Sequence, residues 1–346
     1  MRVRASFLSV RGGRAGRAVP AYEQHMNAEE TNSTSSSEMG TRDVLMQGKR
    51  VRLDALVVDG HEIVITGTFV RTGRLEDEWY EDVEDPERLV ASLRKNGAKM
   101  DIFTFWQRLP DITPKFPYYF ELDSVAALPV DTAEHWRKAQ LNPKTRNLLR
   151  KSEKSGIVVK KAAFDDEFLR GMRDIFDETP VRQDKPFWHY KKDTETIRQE
   201  FSRYLFREDL FGAYYNDALI GFIFLAYADR YALLGQILSK IEHRDKATNN
   251  ALIARAVEVC DSKRIPYLVY AKWDEGSLGH FKRQNGFEKF DLPRYYVPLT
   301  LKGRLVLTLG LHHGLVGIMP PRLKDYLISV RNRWYSGKSR TAATRK

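Results

Sequence analysis

Apolar and polar residues follow two different periods along this chain, and together they predict a mixed α/β protein. Five short runs rich in Val, Ile, Leu, Phe and Tyr have the composition of buried strands: 157–160, 211–215, 218–226, 231–238 and 265–270. Apolar residues at helical spacing predict helices over 165–176, 193–206 and 248–260. Asn216-Asp217 between two of the strands predicts a tight hairpin. We therefore expect a mostly antiparallel central sheet flanked by helices.

A second, smaller pattern precedes these elements. Arg52–Val58 and Glu62–Val70 are apolar runs joined by Asp59-Gly60, which predicts a β-hairpin. Asp85–Asn96 fits a helix with proline in its first turn and glycine just past its end, and Met100–Trp106 returns as a strand. The pattern predicts a small α/β accessory subdomain over 46–135, in front of a larger domain over 136–304.

The two ends of the chain read differently from its centre. Residues 1–45 begin Arg-rich and acid-free, which resembles a transit peptide, and continue through a Ser/Thr/Asn-rich run, so we expect a disordered tail. Residues 305–335 predict a helical extension and 336–346 a second disordered tail. No apolar run is long enough to cross a bilayer, and 305–319 is interrupted by His312 and His313. The basic amphipathic helix predicted over 322–334 is compatible with peripheral contact with an anionic membrane.

Charge and cysteine content narrow the function. The 346 residues carry a formal net charge of +11, which favours a phosphate-bearing cofactor, nucleic acid or an anionic membrane face as partner. Cys260 is the only cysteine, so an intrachain disulfide and a four-cysteine zinc site are excluded and a reducing, cytoplasmic location is expected. The sequence indicates no set of metal ligands.

Two segments are candidate binding surfaces. Residues 137–161 contain nine Lys or Arg against the single acid Glu153, with a helix predicted over 144–154. This is either a solvated helix face or an anion-binding surface that includes Arg146 and Arg150. The loop 177–192 is unusually dense in polar and aromatic side chains and is a candidate substrate loop, with Arg182, Trp188, His189 and Tyr190 as its contacts.

The stretch 277–290, SLGHFKRQNGFEKF, predicts a short helix that ends at Asn-Gly and leads into a strand. With Phe281, Gly286 and Phe287 in this stretch, Gly221-Phe222 after the hairpin turn and the order of elements over 157–300, the chain resembles the GCN5-related N-acetyltransferase (GNAT) fold. The resemblance implies acyl transfer with acyl-CoA as the donor.

Two departures point to one branch of that superfamily. The segment 242–250 lacks the phosphate-loop glycines of the acetyl-CoA enzymes, and Lys282 occupies the position of the usual tyrosine. Phe281-Lys282 with Gly286, and the run 146–156, resemble the FemAB branch. That likeness implies a donor of the aminoacyl-tRNA type and a peptidoglycan-precursor acceptor, although 46–130 is too short for the complete first domain that FemAB proteins usually carry.

The site follows from these residue types. Acyl transfer to an amine needs removal of a proton and stabilisation of the tetrahedral oxyanion. Lys282 is a candidate for the positive charge and Glu178 for proton acceptance, while His189 either titrates near neutrality or lines the acceptor pocket. Phosphate contacts are expected at the start of the helix over 248–260, from Arg244, Lys246, Thr248, Asn249 and Asn250. Gly235 predicts a bulge beside the acyl arm, together with Ile237, and Tyr295 is expected to close the pocket.

The sequence thus predicts an N-acyltransferase that moves an acyl or aminoacyl group onto an amine of a small molecule or cell-envelope precursor. The expected location is the cytoplasm or the inner face of the membrane. A different class of function is left open by the absence of an obvious acid and base pair: a non-catalytic module of the same fold that binds nucleic acid or a polyanionic polymer.

Overall fold

The computed structural model describes residues 39–313, apart from 47–48, 98, 183–184, 203–204 and 206–207. The first part of this region contains six strands and one helix. They are β1 (Met39–Met46), β2 (Lys49–Val58), β3 (His61–Thr66), β4 (Thr72–Leu75), α1 (Pro86–Lys95), β5 (Ile102–Trp106) and β6 (Tyr119–Pro129). A short helix, α2 (Ala133–His135), continues as a π-helical turn over Trp136–Gln140 and leads to the second part.

The second part contains the remaining eight strands and six helices of the described region. In chain order they are α3 (Pro143–Lys154), β7 (Val158–Lys161), α4 (Asp166–Asp177), β8 (Val181–Arg182), β9 (Lys185–Pro186), α5 (Thr194–Phe201), β10 (Glu208–Tyr215), β11 (Ala218–Tyr227), β12 (Ala232–Ser239), α6 (Thr248–Lys263), β13 (Tyr267–Lys272), α7 (Ser277–Gln284), β14 (Glu288–Pro298) and α8 (Leu301–Thr308). No helix within the described residues has the length and apolar content to cross a membrane.

Twelve of the described strands form one sheet in the order β1-β2-β3-β4-β5-β14-β6-β13-β12-β11-β10-β7. Only β4–β5 and β12–β13 pair in parallel, each across a helical crossover, and all other neighbours in this sheet are antiparallel. This confirms the predicted mixed, mostly antiparallel α/β fold.

The two parts of the chain exchange their last strands. β6, from the first part, pairs with β13, while β14, from the second part, lies between β5 and β6. The predicted boundary at residue 135 therefore follows chain order but cuts through a continuous sheet. Helices cover both faces of the second part, because alternate residues of a strand point to opposite faces. Phe222 and Phe224 of β11 pack towards α4 and α5, whereas Ile223 packs in the core that contains α6.

Local predictions are largely confirmed. The two hairpins turn at Asp59-Gly60 and Asn216-Asp217 with positive φ at all four residues. Three differences have physical reasons. β6 was not predicted, because it lies within the stretch 109–129, where prolines before Tyr119 interrupt the alternating pattern of a strand. Residues 39–45, expected in a tail, pair as β1 with β2. The end of the domain is one long strand, β14, because Pro293 leaves no break in the ladder.

The predicted ends of the chain are only partly covered by the structure. The tails over 1–38 and 336–346 and the basic helix over 322–334 lie outside the described residues. Of the predicted extension over 305–335, only residues up to 313 are described, and they include the end of α8.

Asn285 joins three helical segments at a single buried point. Its Nδ2 donates to the carbonyl of Phe281 at 2.8 Å and its Oδ1 accepts from Nδ2 of Asn250 at 3.0 Å. Its backbone carbonyl accepts from the indole Nε1 of Trp136 at 2.9 Å. Asn285 and Trp136 are both 1% exposed. Their polar atoms cannot bond water there, and leaving them unpaired would cost stability, so these hydrogen bonds stabilise the fold. They fix α7 against α6 and against the π-helical turn.

We expect Asn285→Ala to lower the free energy of unfolding by about 1–3 kcal/mol, because it leaves the buried amide of Asn250 without its acceptor. The measurement is urea denaturation at pH 7. Asn147→Ala is the matched control: that side chain is exposed on α3 and accepts only from Arg150, so its change should stay within about 0.5 kcal/mol. Equal losses in the two variants would contradict the role of Asn285.

Candidate functional site

The parallel strands β12 and β13 open into a gap after two paired residues. Ala232 and Leu233 pair with Leu268 and Val269, and no further pairs join the two strands. On its other side β12 stays paired with β11, but Gly235 is skipped in the ladder, since Phe224 faces Gln236 while Leu225 faces Leu234. The predicted bulge at Gly235 is therefore present at the gap. Ile237 lies two residues further along β12, opposite Ile223 of β11.

A cavity of about 190 Å³, here called the Gly235 cavity, lies against this bulge. Its walls bring together both parts of the chain and the predicted substrate loop. They consist of Tyr80, Trp188, His189, Glu200, Phe201, Glu208, Phe224, Gly235 and Gln236. Trp188 is 48% exposed and forms the rim, with Nζ of Lys192 4.3 Å from the centre of its ring. A mostly aromatic pocket of this size suits an apolar group of a few carbons.

His189 is buried in the wall of this cavity. Its ring stacks on Phe176 at 4.4 Å between centroids, and the side chain is 1% exposed. Neither ring nitrogen has a hydrogen-bond partner among the described residues, and Oε2 of Glu200, at 3.8 Å from Nδ1, is too distant to bond it. Burial, with a smaller effect of the neighbouring Lys192, lowers the pKa of His189 to about 3. The expectation that His189 titrates near neutrality is therefore wrong, and the ring is a neutral lining group.

Lys282 is the most deeply buried lysine near the gap. It is 1% exposed, and its Nζ donates to the carbonyl of Lys272 at 2.6 Å, at the end of β13. The same Nζ lies 4.6 Å from the centre of the Tyr270 ring, a cation–π contact. Burial lowers the pKa of Lys282 to about 8, and Asp274 acts in the opposite direction. Lys282 is thus fixed on the β13 side of the gap rather than exposed on a helix surface.

The backbone around Lys282 is shaped by two local features. β13 carries one extra residue between Val269 and Lys272, and within this bulge Ala271 has φ of 49°, a left-handed value that is uncommon for a residue other than glycine. At the start of α7, a Cβ on Gly279 would lie 1.5 Å from the carbonyl oxygen of Asp274. Only glycine therefore lets α7 approach the end of β13 closely enough for Lys282 to reach it.

Glu178 and Arg182 hold the loop between β12 and α6 in place. The carboxylate of Glu178 accepts from the backbone N–H of Ile241 at 2.6 Å and of Glu242 at 2.8 Å. Arg182 donates to Glu178, to the carbonyl of Ile175 and to the carbonyl of Ser239. Both oxygens of the Glu178 carboxylate are therefore bonded to the protein itself, and Arg182 has a scaffold position outside the Gly235 cavity.

The predicted phosphate contacts separate into exposed and buried residues. Arg244 is exposed, whereas Lys246 lies with its Nζ 4.6 Å from the ring centre of Tyr215. Thr248 is 2% exposed with an unpartnered Oγ1, and Oδ1 of Asn249 is also buried without a partner among the described residues. Asn250 instead bonds Asn285 with its side chain. No side chain of the described region caps the first turn of α6, so this end keeps its partial positive charge.

The basic helix α3 adjoins this end of α6. It packs against α6 and contacts the 3-10 turn Arg244–Lys246. Arg150 is exposed, and Nη1 of its guanidinium donates to Asn147 at 3.2 Å. Arg146 is half-buried, with Nη2 3.4 Å from the carbonyl of Leu141. The fold therefore joins two predicted anion-binding segments into one surface.

Two predicted substrate contacts lie elsewhere. Tyr295 is fully buried, and its Oη accepts from the N–H of Lys115 and donates to Gln107, both at 2.8 Å. It supports the loop after β5 and does not line the Gly235 cavity. Tyr190 is half-buried with Nζ of Lys191 5.3 Å from its ring centre, and it does not line the Gly235 cavity. The sequence predicts both tyrosines as pocket residues from their residue type and chain position, and neither of these shows the direction of a side chain.

A second cavity of about 500 Å³, here called the Tyr231 cavity, shares Tyr80 with the first. It lies between the loop before α1, the loop after β5 and the turn between β11 and β12. Five carboxylates line it, from Glu81, Asp82, Glu84, Asp111 and Asp229, against the cations Arg108, Lys115 and Arg230. Burial raises the pKa of Asp82, although Arg108 opposes this. Sequence reasoning missed this cavity because its walls come from three separate segments, 80–84, 107–116 and 228–231.

Comparisons with known proteins give matches among solved structures. No family model and no curated protein matches the chain. Among solved structures, FemX covers 79% of this chain and 90% of its own, with a TM-score of 0.51 and 10% identity. The C-terminal domain of a putative lysylphosphatidylglycerol synthetase from Agrobacterium fabrum covers 71% and 84%, with a TM-score of 0.49 and 11% identity.

A tandem GNAT protein from the clavulanic acid biosynthesis pathway covers 72% of this chain and 83% of its own, with a TM-score of 0.39 and 14% identity. At these identities the likeness concerns the fold alone. The fold predicted from 277–290 and from the order of elements is confirmed, since the chain shares its fold with FemX.

Proposed function

We propose that this protein is an N-acyltransferase that moves an acyl or aminoacyl group from an activated donor onto an amine. The observation that carries the proposal is Lys282, a buried lysine held at the end of β13 beside the gap between β12 and β13. A buried cation is costly unless it has a task or a partner, and within the described residues its hydrogen-bond partner is a neutral carbonyl. The FemAB-like fold supports the same reaction class.

In this mechanism Lys282 stabilises the negative charge that develops on the tetrahedral oxygen. With a pKa of about 8, it is mostly protonated at pH 7 and loses its charge as the pH rises above that value. Nζ uses one N–H for Lys272, which leaves two for an incoming oxygen. A preorganised donor in a water-poor site needs little reorganisation as the charge forms.

The acceptor side of the proposal rests on the two cavities. The Tyr231 cavity carries two more carboxylates than cations, although the chain as a whole carries +11. Such a site attracts a cationic amine by charge. The aromatic Gly235 cavity, which shares Tyr80 with it, then accommodates the apolar part of the acyl or aminoacyl group. We assign His189, Trp188 and Gly235 to this lining.

The donor side rests on the basic surface formed by α3 and the start of α6. Arg244, Lys246 and the uncapped first turn of α6 suit the phosphates of acyl-CoA or of the acceptor end of tRNA. The exposed cations of α3, among them Arg150, add to this surface and favour a donor with many phosphates. We therefore propose aminoacyl-tRNA before acyl-CoA, and a small molecule or cell-envelope precursor as the acceptor.

A non-catalytic function is the second candidate, favoured by the exposed basic face of α3 alone. A binding module of this kind would hold nucleic acid or a polyanionic polymer with an affinity that falls steeply with salt. It would consume neither thioester nor aminoacyl ester. Buried Lys282 would then have no role in binding, which is where the two functions differ.

Replacing Lys282 tests the proposal directly. We expect Lys282→Met to lower kcat on the order of 10²–10³-fold, because one charged oxyanion donor is lost. In the wild type, activity should fall as the pH rises through about 8, since Lys282 then loses its proton. The measurement is transfer of labelled acyl or aminoacyl groups to amine acceptors across pH 6–9, a range centred roughly on that pKa.

Lys289→Met is the matched control, because Lys289 is exposed and pairs at the surface with Asp291. It should keep full activity. A folded Lys282→Met protein, shown by an unchanged far-UV spectrum and cooperative melting, that retains wild-type kcat would refute the assignment.

Arg150→Ala distinguishes the donors. If the donor is aminoacyl-tRNA, the variant should raise its KM several-fold with kcat unchanged, because the loss concerns binding far from the reacting atoms. With an acyl-CoA donor KM should not change. Titrations of the wild type with uncharged tRNA and with CoA at several salt concentrations accompany the kinetics. Salt-sensitive tRNA binding without any transfer would favour the non-catalytic module instead.

His189→Phe tests the neutral lining group. The unfolded chain binds a proton at a histidine below pH 6.5, whereas folded His189 does so only near pH 3. Folding therefore loses stability at this site as the pH falls through that window, with Lys192 and Glu200 as the charged neighbours. Phenylalanine has no proton to bind, so the free energy of unfolding of the variant does not fall for this reason. Urea denaturation at pH 7 and pH 4.5 should show the variant gaining relative to the wild type at the lower pH, and a constant difference would refute the assigned pKa.

A further inference from the structure

A cluster of two histidines and a glutamate lies at the end of α8, outside the proposed acyl-transfer site. Oε1 of Glu121 is 2.9 Å from Nε2 of His312, and Oε2 is 2.6 Å from Nε2 of His313. The three side chains present their ligand atoms within 4.8 Å of one another. Glu121 belongs to β6 and the histidines follow α8, so residues far apart in the chain converge here.

The backbone on both sides of the cluster is fixed. Thr300 caps the start of α8, since its Oγ1 accepts from the N–H of Gly303 at 3.0 Å. Just past the end of α8, Gly310 has φ of +67°, and the N–H of Leu311 then donates to the carbonyl of Val306 at 2.9 Å. Leu311 packs with Ile102 and Tyr296. The hydrogen-bonded turn after α8 therefore fixes the position of His312 next to the sheet.

Among the residues that the structure describes, Glu121 has no ion pair with a lysine or arginine. Its ladder partner on β14 is Arg294, but that guanidinium bonds Asp123 at 2.8 Å and Glu78 at 3.0 Å. The ion-pair partners of Glu121 among the described residues are the two imidazoles. Tyr119 donates its hydroxyl to Oε1 at 3.1 Å, which orients the carboxylate as outer-shell groups do in metal sites.

From this geometry we infer that Glu121, His312 and His313 form a binding site for a divalent transition metal, with Zn²⁺ as the best match. Two imidazole nitrogens and one carboxylate are a common ligand set for zinc, at about 2.0–2.2 Å from the ion. A tetrahedral ion of that size needs ligand atoms about 3.3 Å apart, so small side-chain shifts convert the observed contacts into coordination. This site departs from the sequence expectation that no metal ligands are present.

The ion would link the start of β6 to the turn after α8. Side chains of His312 and Glu121 are 3% and 35% exposed, whereas His313 is 46% exposed, so the remaining coordination position faces solvent. A ligand that binds only the folded state stabilises it by mass action. The ion therefore acts as a clip that fastens residues 312–313 to the sheet.

The test is metal binding by the full-length chain, prepared without a histidine tag and freed of metal with a chelator. Calorimetry with Zn²⁺ should give one equivalent with a dissociation constant in the micromolar range or below. Co²⁺ should give the strong visible absorption of a four- or five-coordinate complex. At a free Zn²⁺ concentration of about 100 times the dissociation constant, the melting temperature should rise by roughly 5 °C.

Three variants locate the site. His312→Ala, His313→Ala and Glu121→Gln should each weaken Zn²⁺ binding by at least about tenfold, on the scale of losses at metal sites. His280→Ala removes an exposed histidine on α7 and should leave binding unchanged. Melting in the presence of chelator shows whether each variant is folded.

Two outcomes would overturn the inference. If Zn²⁺ binds weakly or not at all while the variants still lower the melting temperature in chelator, the cluster is a hydrogen-bonded clasp without metal. If tight binding survives Glu121→Gln and both histidine variants, the ion binds elsewhere. Acyl transfer is not part of this test, so its result is independent of the proposed function.

Discussion

The exchange of β6 and β14 between the two parts of the chain is the constraint on which the candidate site depends. β6 holds β13 by antiparallel pairing, while β12 reaches β13 at only two residues. β13 can therefore diverge from β12 without leaving the sheet, because its other edge stays bonded. The gap and the position of the carbonyl that anchors Lys282 follow from this asymmetry. Buried backbone N–H and C=O groups need hydrogen-bond partners, and β6 supplies these partners to β13 where β12 does not.

Several buried polar groups near the gap are hydrogen-bonded within the protein. Asn285 bonds three segments, and Glu178 with Arg182 holds the loop between β12 and α6. These contacts make the loop rigid, and Nε of Arg182 stays buried without a partner among the described residues. Lys282 and His189 differ, because burial shifts the pKa of each towards its neutral form. Groups kept in such a state at a cost in stability are the natural candidates for contact with a ligand.

Much of the fold was accessible from local sequence patterns. The turns at 59–60 and 216–217, the helices over 143–154, 166–177 and 248–263, and the bulge at Gly235 all depend on neighbouring residues. β1 and β6 were missed, since a short polar strand and a Pro-rich approach carry weak local signals and are stabilised by partners distant in sequence. The same limit explains Tyr295, which looked like a pocket residue and instead supports the loop after β5.

By itself, the sequence determined the order of elements and the presence of a lysine at position 282, because these depend on periodicity and on residue type, and 277–290 resembles the GNAT fold. Only the tertiary structure decided that Lys282 is buried against β13, that Tyr80 joins two cavities, and that Glu121 meets His312 and His313. Each of these rests on contacts between residues far apart in the chain. Such contacts are set by strand exchange and packing, which no local pattern encodes.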